Sequence, residues 1–277
     1  MAFKKPESRK VEVSRIDMES VDFYIIGKSA LVYNAMSAKT MDELLFPSEK
    51  LSQGERRTTL KHDPYQEYRD SVYRRKDDEA GPTRLTLPSR MFKAAMVDVI
   101  TVVGGSTKVD MKRLLRYDQD YVDIYGVPQL YMAVVRQAGM NRTPDVRTRA
   151  IVKEWCCKVQ LHYVVPNLNE STVANLLLNA GELNGVGDAR QQKGAYDFGR
   201  FEIAEGPTDP RIKKLLKLGM KEQDRALRDP VCYDQETTAL LAGFDQELAR
   251  RKLKPRATTR RRPHSNGSEG EEANPEA

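Results

Sequence analysis

The chain has 277 residues, with 46 Lys or Arg against 40 Asp or Glu and a formal net charge of +6. Hydrophobic residues make up 39%, enough for a sizeable core and too evenly mixed with both signs of charge for wholesale disorder. No apolar run reaches the length of roughly 18 residues that a transmembrane helix needs, and Met1–Pro6 lacks the apolar stretch of a secretory signal.

Three cysteines, Cys156, Cys157 and Cys232, cannot build a disulfide framework, so a reducing, cytoplasmic setting is expected and no membrane. The charge is also unevenly spread. Residues 250–263 hold eight bases and no acid, and residues 264–277 hold four acids and no base. That leaves 38 bases against 36 acids over residues 1–249, a body of +2. The tail is expected to be disordered; its basic block is either a contact for nucleic acid or a solubilising segment, and its acidic end is a plain solvated terminus, with docking of a protein partner or competition with nucleic acid as the alternatives.

Along the chain, residues 1–18 read as a flexible polar arm. Val21–Tyr33 is β-branched and aromatic, a first strand with a break at Gly27. A short helix is expected over Ala38–Leu45. Residues 47–82 then turn polar, with Tyr65, Tyr68 and Tyr73 interleaved among charges, and read as an exposed, partly helical insertion. Thr83–Pro88 reads as a short strand, and Ser89 as the N-cap of an apolar helix over Met91–Ile100, closed by Gly104 and Gly105.

A hairpin-like insertion over 104–145 is expected to hold strand pieces at Val109–Leu115, Tyr121–Ile124 and Leu130–Val135. Asn141–Arg149 reads as a basic loop, and Trp155–Val165 is the clearest strand. Asn169 or Ser171 caps a helix through Leu183, with Val173, Leu176, Leu177 and Ala180 on one face. A glycine-punctuated loop, Gly185–Gly199, leads to a last strand at Arg200–Ile203, and charged helices fill 207–249. Two strand–helix–strand halves within residues 19–206 point to an α+β fold. The expected core is a ferredoxin-like, RNA-recognition-motif-like antiparallel sheet with helices on one face.

Catalytic and metal chemistry find no foothold. His62, His162 and His264 are scattered, no Cys-x-x-Cys pair exists, and neither a Gly-x-Ser-x-Gly elbow nor a Gly-x-x-x-x-Gly-Lys-Ser/Thr phosphate loop is present. Asp118, Asp120 and Asp123 are explained by a solvated hairpin. No metal, no cofactor and no enzymatic activity are therefore expected.

Two features stand out as candidate nucleic-acid contacts. One is the glycine loop, where Gly185 and Gly187 would let backbone approach a phosphate and Arg190, Lys193 and Arg200 supply charge. The other is Arg142, Arg147, Arg149 and Lys153, leading into the strand with Trp155. Turn-forming glycines and a solvated arginine face are the alternatives.

Leu87–Met96, with its Pro-Ser-Arg-Met-Phe-Lys-Ala-Ala helix start, resembles the corresponding segment of the RAMP superfamily, which includes the backbone subunits of CRISPR effector complexes. Asn184–Arg190 followed by Gly199–Phe201 is similar to the glycine-rich loop of that superfamily. A phage protein family of unassigned role shows the same layout and resembles this sequence more closely. The resemblance spans about residues 20–206. It implies a sheet-based nucleic-acid binder that assembles side by side along a strand. No catalytic histidine can be placed within it. The expected function is a non-enzymatic, phage-encoded protein that coats single-stranded DNA or RNA in replication or recombination as a homo-oligomer or filament. A backbone subunit of an RNA-guided effector is the first alternative and a virion or scaffold assembly protein the second.

Overall fold

The structure is a computed structural model that describes residues 15–46, 62–76, 79–136, 144–193 and 196–251. Most of the N-terminal arm, the centre of the polar insertion, Arg142 and the tail after Arg251 lie outside the described residues. In chain order the elements are β1 (Asp17–Gly27), β2 (Leu31–Val32), α1 (Ala38–Leu45), α2 (Pro64–Asp70), β3 (Tyr73–Arg74), β4 (Leu85–Pro88), α3 (Ser89–Val103), α4 (Lys108–Leu114) and β5 (Leu115–Arg116). There follow β6 (Tyr121–Tyr125), β7 (Pro128–Arg136), β8 (Pro144–Val152), β9 (Cys156–Val165), α5 (Glu170–Leu183), β10 (Phe201–Ile203), α6 (Pro210–Leu215), α7 (Met220–Arg228) and α8 (Gln235–Arg251).

Alternation builds the main sheet. In β9, Cys157, Val159, Leu161 and Tyr163 are buried while Lys158 and Gln160 are exposed. The register sets Ile25 opposite Cys157 and Phe23 opposite Val159, so the apolar halves of β1 and β9 share one face. The strand order is β10, β1, β9, β6, β4, β3, each neighbouring pair antiparallel, and β5 pairs farther along β9. With α3 between β1 and β6, and α5 between β9 and β10, the central four strands run fourth, first, third, second. That is the ferredoxin-like arrangement, so the expected α+β class and antiparallel sheet are present. Helices α3 and α5 pack together on one face, joining Phe92, Met96, Val173 and Leu177 to the sheet core. On the opposite face, Ile212 and Leu215 of α6 cover Ile26 and Cys156.

The three central strands do not stop at the sheet's end. β1 continues into β2 through residues 28–30, β6 into β7 through 126–127, and β8 into β9 through 153–155. The second sheet, β2-β8-β7, repeats the order β1-β9-β6. Trp155 sits at this seam with no exposed surface, and its indole N–H donates to the Ser29 carbonyl at 2.9 Å. Gly27 is the residue that admits the ring: a Cβ there would lie 2.1 Å from Trp155 Nε1.

Four local expectations are corrected. Val109–Leu115 is not a strand: Thr107 accepts from the Asp110 N–H at 3.1 Å and caps α4, leaving only Leu115–Arg116 extended. Ser89 is not the N-cap of α3. It lies inside the helix after Pro88 and donates to the Asp120 carbonyl at 3.2 Å. Residues 144–149 of the expected basic loop are strand β8, paired with β7 from Pro144↔Arg136 to Val152↔Pro128. The described part of the polar insertion is not simply exposed, because Tyr68 of α2 is fully buried and donates to the Pro128 and Ala226 carbonyls.

Candidate nucleic-acid interface

The glycine loop between α5 and β10 is tied to the seam from within. The Asp188 N–H donates to the Val32 carbonyl at 2.9 Å, the Gly199 N–H to Ala30 at 2.8 Å, and the Arg200 N–H to Ser29 Oγ at 3.0 Å. Gly199 has φ of +74°, and a Cβ on it would come 1.7 Å from the Val186 carbonyl oxygen. Gly185 lies against Gly199, and Gly187 against Val32. These glycines serve close packing, and the three amides face protein rather than an incoming phosphate.

The charged candidates separate into two groups. Arg190 donates to the Gly187 carbonyl and to Gln192, and stands beside Asp98 of α3. Arg200 is paired with Glu182 of α5, which Lys28 also reaches at 2.7 Å. The bond from Lys28, helped by Arg200, holds the Glu182 carboxyl below the usual carboxylate range against the opposing effect of desolvation. These two arginines brace the loop against α3 and α5. Lys193 closes a short 3-10 turn, Gln191–Lys193, and its side chain lies outside the described residues.

Arg147 and Arg149 behave differently. They lie on one face of β8, and Arg149 stands opposite Tyr131 of β7. Arg149 pairs with Asp188 at 2.7 Å, linking the strand to the glycine loop, whereas Arg147 is half exposed with Asp145 3.7 Å away. Around Tyr131 the fold collects rings from three separate segments. Phe198 meets Tyr131 edge-on at 6.1 Å, Tyr233 does so at 5.7 Å, and Tyr196 stacks on Phe198 at 5.6 Å with 16° between the planes. Ala30, Val32 and Ile151 form the floor beneath them. Burial, reinforced by Tyr196 and by Asp234 and Glu236 at the start of α8, pushes the Tyr131 hydroxyl up to about 12, so it stays a neutral phenol.

An open groove of ≈ 480 Å³ runs along this ledge, lined by Lys28, Lys153, Asp197, Phe198 and Tyr233 among others. The ledge therefore offers ring faces, one of them on the 42%-exposed Tyr196, flanked by Arg147, Arg149, Lys28 and Lys153. Stacked bases with phosphates on flanking cations fit such a surface. Of these four cations Arg147, Arg149 and Lys153 are among the candidates named from the sequence, whereas Lys28 and the rings are not. Tyr196-x-Phe198, an alternating aromatic pair inside the glycine loop, was the available signal. Among the described residues no group of His, Cys, Asp and Glu is placed to hold a metal ion, and no helix is long and apolar enough to cross a membrane.

No family model and no curated protein matches the chain. Among solved structures, Cmr6 from Pyrococcus furiosus aligns over 68% of this chain and 98% of its own, at 10% identity and a TM-score of 0.33. An overlap that loose carries no argument about what the chain does.

Proposed function

We propose that the chain is a non-enzymatic protein that holds single-stranded nucleic acid on the aromatic ledge of its second sheet, coating DNA or RNA as an oligomer. The observation that supports this reading is the conjunction of Tyr131, Tyr196, Phe198 and Tyr233 with Arg147, Arg149 and Lys153 on one surface. Bases of any identity have a face to stack, so binding is sequence-tolerant. Much of the nearby positive charge is already matched by Asp188, Asp145 and Glu182, so few phosphates are neutralised on binding.

Titrating poly-dT and poly-U by filter binding across a salt series tests it. With about three cations engaged, the slope of log K against log salt is expected near −2. Absence of binding at low salt, or binding without a slope, overturns the proposal. Copurified short RNA of uniform length redirects it to a guide-holding subunit.

A further inference from the structure

β1 has a second edge that its own sheet leaves mostly open. β10 pairs with β1 only from Ile25 to Gly27, and the Ala204 N–H ends that ladder on the Tyr24 carbonyl at 2.7 Å. On the other side, Gly27 donates to Trp155. The parity is thereby set: odd residues of β1 bond toward β9 and even residues point their backbone groups toward the β10 side. Before Tyr24, no strand among the described residues pairs with that edge. The N–H and C=O groups of Met18, Ser20 and Asp22 face outward, from residues that are all exposed. Such a row is a template for another strand.

We propose that this edge pairs, antiparallel, with the same edge of a second copy about a two-fold axis through Ser20. The charges select the register. Centring the pair on Glu19 or Asp22 sets like charges face to face, and centring it on Met18 sets Asp17 opposite Glu19. Centring on Val21 asks for the Tyr24 carbonyl that Ala204 already holds. Centred on Ser20, every acid faces an uncharged residue: Asp17 opposite Phe23, Glu19 opposite Val21, and Asp22 opposite Met18. The bonded pairs are then Met18 with Asp22 and Ser20 with its own copy, which stop short of the Tyr24 carbonyl held by Ala204. A two-fold contact of this kind is self-complementary and closes at two copies.

Five residues per copy fall short of the roughly 1,200 Å² of a stable interface, so the dimer forms in a concentration-dependent way. Two ledges on one nucleic-acid strand would raise the local concentration and firm the contact, a consequence that rests on the proposed function while the pairing itself does not.

Sedimentation of the full chain without nucleic acid, from low micromolar to submillimolar protein, is expected to show a monomer–dimer equilibrium. Ser20→Pro removes an outward donor that the fold does not use and is expected to give monomer with an unchanged melt. Ser20→Cys is expected to form a covalent dimer on mild oxidation. Directly opposed, hydrogen-bonded residues sit about 5.5 Å apart at Cα, within disulfide reach. Lys221→Cys is expected to stay monomeric, and the cross-link remains readable if the proline variant fails to fold. A wild-type monomer throughout with no Ser20→Cys cross-link overturns the inference, as does a dimer that Ser20→Pro leaves intact or a monomer whose edge captures a basic peptide instead. Poly-dT titration of the wild type keeps the two proposals apart: binding without any dimer or Ser20→Cys cross-link overturns only the pairing, and a dimer without binding overturns only the proposed function.

Discussion

Tyr196 is the residue on which the ledge can be tested most directly. It is exposed, lies on Phe198 rather than in the core, and contributes a ring face and little else to the fold. Tyr196→Ala is expected to weaken single-strand binding by about 1–3 kcal/mol, roughly 5–150-fold, with the thermal midpoint unmoved. Fluorescence anisotropy with labelled oligo-dT, beside a melt of the same protein, reads both quantities. Equal affinity would remove Tyr196 from the interface. The cysteines show the opposite limit. Burial raises the Cys156 thiol to about 12 and Cys157 well above its usual value, so neither offers a thiolate near neutral pH.

Elements here are locked to one another by a few buried polar groups. Gln223 of α7 has no exposed surface. Its Oε1 accepts from the Arg84 and Leu85 N–H groups at 2.7 and 2.9 Å, and its Nε2 donates to the Ile124 and Gly126 carbonyls. Gln223→Leu keeps the bulk and strands those four backbone groups, at about 1–3 kcal/mol each where water cannot reach them. A loss of at least about 3 kcal/mol in urea unfolding is expected, and a change within experimental error would mean that α7 carries no such lock. Glu182 joins three segments through Lys28 and Arg200, and its depressed folded pKa sets the sign of its pH effect. Its contribution is complete above the unfolded value of about 4.3 and lost as pH falls through the folded one. Wild type and Glu182→Gln are therefore expected to differ in melting temperature at neutral pH and to converge in acid.

At this scale the limits of the sequence are physical. β1 and β9 could be read because one face is buried and the other wet, which prints a two-residue period. β8 carries the same alternation over Val146–Ala150, but Pro144 at its start and its arginines gave the segment the composition of a basic loop. The helix over Lys108–Leu114 buries only Met111, too little to print a helical one. The ledge escaped notice because its rings come from β7, the glycine loop and the turn before α8, and only folding brings them together.

Across the whole molecule, three chain paths run through both sheets and bend at a common line, with the glycine loop fastened to the same line through Ser29, Ala30 and Val32. Trp155 occupies that bend and is the chain's single tryptophan. Its emission is consequently a built-in gauge of the joint between the sheets, free of background from any other indole. Blue-shifted emission is expected from the native protein, and the red shift on denaturation is expected to coincide with loss of far-ultraviolet ellipticity, because Trp155 is buried in a core cluster that residues of both sheets share. An indole that reaches water before the backbone unfolds would instead reveal a hinge at the bend.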